Sequence, residues 1–230
     1  MLQELLKIFR PGNTLSVIAD DFSKMLQLGC KMTATAGSIY FREPLPPEVR
    51  TRLYEKDVEV NMLERTIRKR VVAHLSVRVN TPNLPYCLLL MSLVKDVERI
   101  GDYAKNLSEV VDIYPGELPD DDVVAELREI RAAVEAGFEA ASKVFVESDR
   151  ETALGLIRKG KDSAQRADGL LSRIAQLNYD SGKTTALVLG ARYYKRINGH
   201  LINVLSSVVM PLHKVDYYDE DEIVEGAASA

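Results

Sequence analysis

Two carboxylates one helical turn apart, Glu98 and Asp102, are the residues of this chain best placed to do chemistry. Side by side on a helix they repel by about 0.2–0.5 kcal/mol. A hard divalent cation such as Mg, Mn, Ca or Fe would reverse that sign, because such ions prefer carboxylate oxygen. Both acids lie in the segment LVKDVERIGDYAKNLSEVV, residues 93–111, whose apolar positions Leu93, Val97, Ile100, Ala104, Leu107 and Val111 advance by alternating steps of four and three. Such a stripe faces a core, and the helical period then directs Glu98 and Asp102 to the outward face. A plainer reading competes with the metal one. Asp96 with Arg99, and Asp102 with Lys105, stand at ion-pair spacing, as on any solvated helix face.

The chain uses this segment twice. Aligning Glu98 with Lys195 brings Arg99, Ile100, Asn106 and Val111 onto Arg196, Ile197, Asn203 and Val208. Gly190, Tyr194, Ile197, Leu201, Val204 and Val208 repeat the same apolar steps. Two copies of one long helix imply two copies of a larger unit. Only the first copy offers a pair of acids, since Lys195 and Gly199 stand where Glu98 and Asp102 stood. The Lys195 ammonium is placed to neutralise neighbouring acids where a cation would otherwise sit.

Six helices follow from the 3.6-residue period, at about 13–42, 47–79, 84–114, 119–147, 150–179 and 183–212. Pro44-Leu45-Pro46-Pro47, Thr81-Pro82-Asn83, Tyr114-Pro115-Gly116 and Ser181-Gly182 punctuate them, and Asp120 to Asp122 bring negative charge to the positive end of the fourth. No segment alternates at period two for long enough to claim a strand. The predicted fold class is all-α, two tandem three-helix-bundle repeats of long antiparallel helices. The first repeat spans residues 1–115, the second 116–213, and 214–230 reads as an acidic disordered tail. At the other terminus Leu2, Leu5, Leu6 and Phe9 make a short amphipathic turn that docks on a partner or a membrane surface, or folds back on the bundle.

Composition narrows the function. A net charge of −4 argues against nucleic acid as a partner, and against docking on anionic lipid through charge. Cys30 and Cys87 lack a second ligand at metal spacing and read as free thiols of a reducing compartment. No signal peptide or transmembrane run is found, so the expected location is the cytoplasm. A di-iron oxidase needs Glu-x-x-His on two helices, whereas Val71, Ile197 and Met210 precede His74, His200 and His213 by three. No nucleophile–base pair or phosphate loop is present, so no enzyme is expected. His200 reads as a capping or surface residue; His74 and His213 suggest no site.

The segment VKDVERIGDYAKNL, on a third helix that recurs in a sixth, strongly resembles the motif of the PhoU family. The resemblance covers roughly residues 13–212 and implies two three-helix repeats. It implies a cytoplasmic regulator that restrains a membrane phosphate transporter, reports to a sensor histidine kinase, and is compatible with a homodimer. Carried over, Glu98 and Asp102 are the motif carboxylates, and Asp57, Asn61 and Glu64 on the second helix complete a surface set for iron or another divalent metal. The chain departs from the pattern at Lys195 and Gly199. It does so again at Pro82-Asn83-Leu84-Pro85, which lacks the Asp-Leu-Arg that often follows the family's proline. The alternative reading is a metal-free helical scaffold or dimerisation module serving another transporter.

Overall fold

The computed structural model describes residues 14–147 and 149–210. Six helices carry it: α1 (Thr14–Tyr40), α2 (Val49–Leu75), α3 (Leu84–Ile113), α4 (Asp122–Glu147), α5 (Arg150–Gln176) and α6 (Ser181–Val209), with a 3₁₀ turn at Arg78–Asn83 between α2 and α3. Among the described residues there is no strand. The N-terminal turn at Leu2–Phe9, His213 and the acidic tail lie outside the described residues.

Local chemistry sets the boundaries. Asp121 Oδ1 accepts the Val123 and Val124 amides, each at 3.1 Å, and opens α4. Asp149 and Asp180 accept the Thr152 and Lys183 amides and open α5 and α6. α1 closes on Arg42, whose φ of 56° is left-handed. The Glu43 amide donates to Ser38 and the Arg42 amide to Ile39, which satisfies two orphan carbonyls of the last turn. A non-glycine residue is held there because its guanidinium donates to the Tyr40 and Tyr114 carbonyls.

α1, α2 and α3 pack together, α4, α5 and α6 pack together, and α3 lies against α6. One continuous core runs through both trios. The predicted stripes are its substance: Leu93, Val97, Ile100, Ala104 and Leu107, and Gly190 with Tyr194, Ile197, Leu201, Val204 and Val208, are buried, while Val111 is half-buried. Between the trios, Tyr40 of α1 lies on Gly190 of α6 and donates 3.0 Å to the Ala186 carbonyl. In return Tyr194 lies on Gly37 of α1. Burial pushes both phenols well above the ordinary tyrosine range. Each aromatic buried in this way contributes roughly 1.5–3 kcal/mol.

Candidate functional site

The proposed acids sit along the edge where α3 meets α2. α3 packs against α1, α2 and α6, so little of its circumference remains free. The outward face expected for Glu98 and Asp102 is therefore a narrow strip, with 13% and 29% of those side chains exposed. On α2 the buried row is Leu53, Asp57, Val60, Glu64, Ile67, Val71 and His74. Asp57 and Glu64 thus occupy inward positions of the four-three pattern, not the surface that the resemblance implied, and Asn61 lies half-buried beside them. Asp57 fits because the facing residue on α3 is Gly101. A Cβ there would stand 3.8 Å from Asp57 Oδ1 and 3.4 Å from Met32 Cε.

Every acid of this edge already faces a cation of the chain itself. Lys105 Nζ is 3.0 Å from Asp57 Oδ2 and 3.6 Å from Asp102 Oδ1. Arg99 Nη1 donates 3.1 Å to Asp102 and Lys95 Nζ donates 2.6 Å to Glu98. Arg68 Nη2 is 2.7 Å from Glu64 Oε1, at an angle that makes no hydrogen bond. Burial works to lower the pKa of the Lys105 ammonium. The hydrogen bond and charge of Asp57, joined by Asp102 and Glu109, outweigh it and hold that pKa above the ordinary lysine value.

Tested against this arrangement, the residues do not fit a metal. Among the described residues no three His, Cys, Asp or Glu side chains converge on one point. A divalent ion would have to displace Lys105 from Asp57 and Arg99 from Asp102. Of these pairs Lys105 with Asp57 joins α2 to α3, while the others each lie within one helix. Lys105→Met leaves Asp57 charged and largely buried, and costs about 2–4 kcal/mol. Lys105→Met with Asp57→Leu restores most of that loss; urea unfolding of both variants checks it.

Comparison with known proteins agrees with this geometry. Residues 22–111 match the family model "PhoU domain". The chain is 25% identical over 203 residues to the phosphate-specific transport system accessory protein PhoU homolog 1 of Thermotoga maritima, covering 85% of each. The first three helices of this chain thus resemble a PhoU domain. Its fold matches the crystal structure of PhoU from Pseudomonas aeruginosa at a TM-score of 0.77 and 21% identity, covering 85% of this chain and 95% of that one. It also matches the phosphate transport system regulatory protein PhoU from Streptococcus pneumoniae at 0.71 and 16%, covering 91% and 95%.

The PhoU match runs from Phe22 within α1 to the last turn of α3, and so contains the whole acidic edge. In the second trio the acids are gone and the packing solution is inverted. Asn198, which aligns with Gly101, is buried and donates 2.6 Å to the Gly160 carbonyl of α5. A Cβ on Gly160 would meet Ile202 and stand 3.1 Å from Asn198 Oδ1. Lys195 Nζ, which aligns with Glu98, pairs at 2.5 Å with Asp168 of α5 and neutralises that acid.

Sequence reasoning missed one junction. Asp96 does not pair with Arg99. It is buried at the seam of α3 and α6, where Oδ1 meets His200 Nδ1 at 2.8 Å and accepts from Asn203 Nδ2 at 2.9 Å. His200 is neither a cap nor a free surface residue; it stacks on Tyr103, whose ring lies 6.2 Å from Tyr193. Nothing local in the sequence joins residues so far apart, although the repeat itself placed α3 and α6 as counterparts. His74, which suggested no site, is buried in the last turn of α2, and Asn83 Nδ2 lies 3.0 Å from its Nε2. Burial holds its imidazole below the ordinary histidine pKa. Its role is to fasten the turn from α2 to α3.

Proposed function

We propose that this chain is a cytoplasmic accessory regulator of phosphate transport, acting by reversible contact with a membrane phosphate transporter or its sensor kinase, without a catalytic step of its own. The observation that carries the reading is the PhoU match over residues 22–111, which includes the ion-paired α2–α3 edge. The Thermotoga relative, matched over 85% of its length, is named as an accessory protein of a phosphate-specific transport system. No helix among the described residues is long and apolar enough to cross a membrane, which suits a protein that visits a transporter from the aqueous side.

In this reading the α2–α3 edge contributes shape and charge pattern, with Lys95, Arg99 and Lys105 supplying the positive charge. Iron or another divalent ion has no step to perform. The test is affinity capture of the full chain from membranes of its native host. Recovery of a phosphate transporter or a phosphate-responsive kinase supports the proposal. Recovery only of an unrelated transporter moves the chain to the alternative, a helical scaffold serving another transport task.

A further inference from the structure

The stretch of sequence that joins α2 to α3 is rich in cations. Between Glu64 and Asp96 there is no acid, while Arg65, Arg68, Lys69, Arg70, Arg78 and Lys95 all fall in that interval. Between Lys105 and Arg128 there is no lysine or arginine, while Glu109, Asp112, Glu117, Asp120, Asp121 and Asp122 are among the acids there. The first interval contains the end of α2, the 3₁₀ turn and the start of α3; the second contains the other end of α3 and the start of α4. α3 alone separates these poles by about 45 Å.

At the basic pole three cations are already taken, Lys95 by Glu98 among them. Arg70 pairs with Asp21 of α1, and Arg68 faces Glu64. Arg65, Lys69 and Arg78 have no ion partner among the described residues. Arg65 and Lys69 continue an exposed row of α2 that ends in Val72. Beside that row Val77, Val79, Leu84 and Leu88 are also exposed, Val79 to 79%. The turn therefore presents exposed aliphatic side chains at this end of the bundle, beside cations that have no ion partner among the described residues. Asp20, on α1 near Tyr86, is an exposed acid at this end.

We propose that this α2–α3 end is a docking surface for an anionic lipid bilayer, with Val77, Val79, Leu84 and Leu88 entering the interface and Arg65, Lys69 and Arg78 meeting lipid phosphates. Exposed aliphatic side chains with cations beside them match a headgroup layer, which needs no complementary groove. The net charge of −4 does not oppose this. The acidic pole lies several Debye lengths away, the Debye length being about 8 Å at physiological ionic strength, so the local cations decide. The inference stands apart from the phosphate-transport reading, because lipid contact needs no particular transporter.

The test is co-sedimentation of the full chain with vesicles of phosphatidylcholine alone, and with 30% phosphatidylglycerol added. The expected result is binding to the anionic vesicles only, weakened at least tenfold by Lys69→Glu with Arg78→Glu. Val79→Ser with Leu88→Ser weakens it comparably at unchanged charge. Lys183→Glu, a reversal at the other end of the molecule, leaves it intact. Unaltered melting temperatures of these surface variants establish that they fold. Absence of binding to anionic vesicles, equal binding to neutral ones, or indifference to both tip variants overturns the proposal. So does binding that appears only when Asp219, Glu220, Asp221 and Glu222 are replaced by their amides, which assigns the surface to the chain's own acidic tail.

Discussion

Gly190→Ala lowers the melting temperature by roughly 4–8 °C, although alanine is the better helix former. Helix propensity alone favours the substitution by about 0.8–1.0 kcal/mol. Packing opposes it. A Cβ at Gly190 falls well inside van der Waals contact of Tyr40 Oη and Cζ and stands 2.9 Å from Cε2. Tyr40 cannot swing away, because its ring is fully buried and its hydroxyl donates to Ala186. Overpacking of this kind costs about 3 kcal/mol. In a chain of this size each kcal/mol moves the midpoint by about 2–4 °C. A double-mutant cycle with Tyr40→Leu checks the cause. With the ring gone, Gly190→Ala becomes neutral or stabilising, and a coupling near zero would refute the clash.

Arg131→Ala, the second large effect, loosens α4 from the end of α1. The Arg131 guanidinium donates to Glu43, to Ser38 at 3.0 Å and to Glu135 at 2.8 Å, and lies 5.4 Å from the Phe41 ring centre, with 14% of the side chain exposed. Removing it strands two carboxylates in a partly covered site, at a cost of about 2–3 kcal/mol. Arg131→Lys recovers less than half, since an ammonium cannot reproduce the forked contacts. The pH dependence follows. Hydrogen bonds from Arg131 and Ser38 hold the Glu43 carboxyl below its ordinary value of 4.5. A carboxyl depressed in the folded state stabilises the fold above that ordinary value, and the contribution is lost as pH falls through the folded-state pKa. Urea midpoints of the parent chain therefore fall between about pH 5 and 3 more steeply than those of Arg131→Ala.

The six helices were legible because long amphipathic rods write their period into the sequence, as Leu93 to Leu107 and Gly190 to Val208 do. Proline and glycine marked the links to within a few residues. What periodicity could not supply was which helices lie at the centre. α3 and α6 are covered on several sides, so one stripe understates their burial, and acids assigned to an outward face stand at a partly closed edge. The same ignorance misplaced Asp57 and Glu64. They occupy inward positions that an acid tolerates only where glycine or a cation faces it, as Gly101, Lys105 and Arg68 do. Asp96 was assigned to Arg99 because local spacing offered no other partner; its partners, His200 and Asn203, are set by the docking of the two trios. The reciprocal seating of Tyr40 on Gly190 and Tyr194 on Gly37 depends on the same docking.

Uptake of labelled phosphate by the native host, with the chain's gene deleted and then restored, tests the regulatory role. At high external phosphate the account predicts that uptake stays high without the chain and is restrained when it returns. Uptake indifferent to the chain at both high and low external phosphate would contradict it.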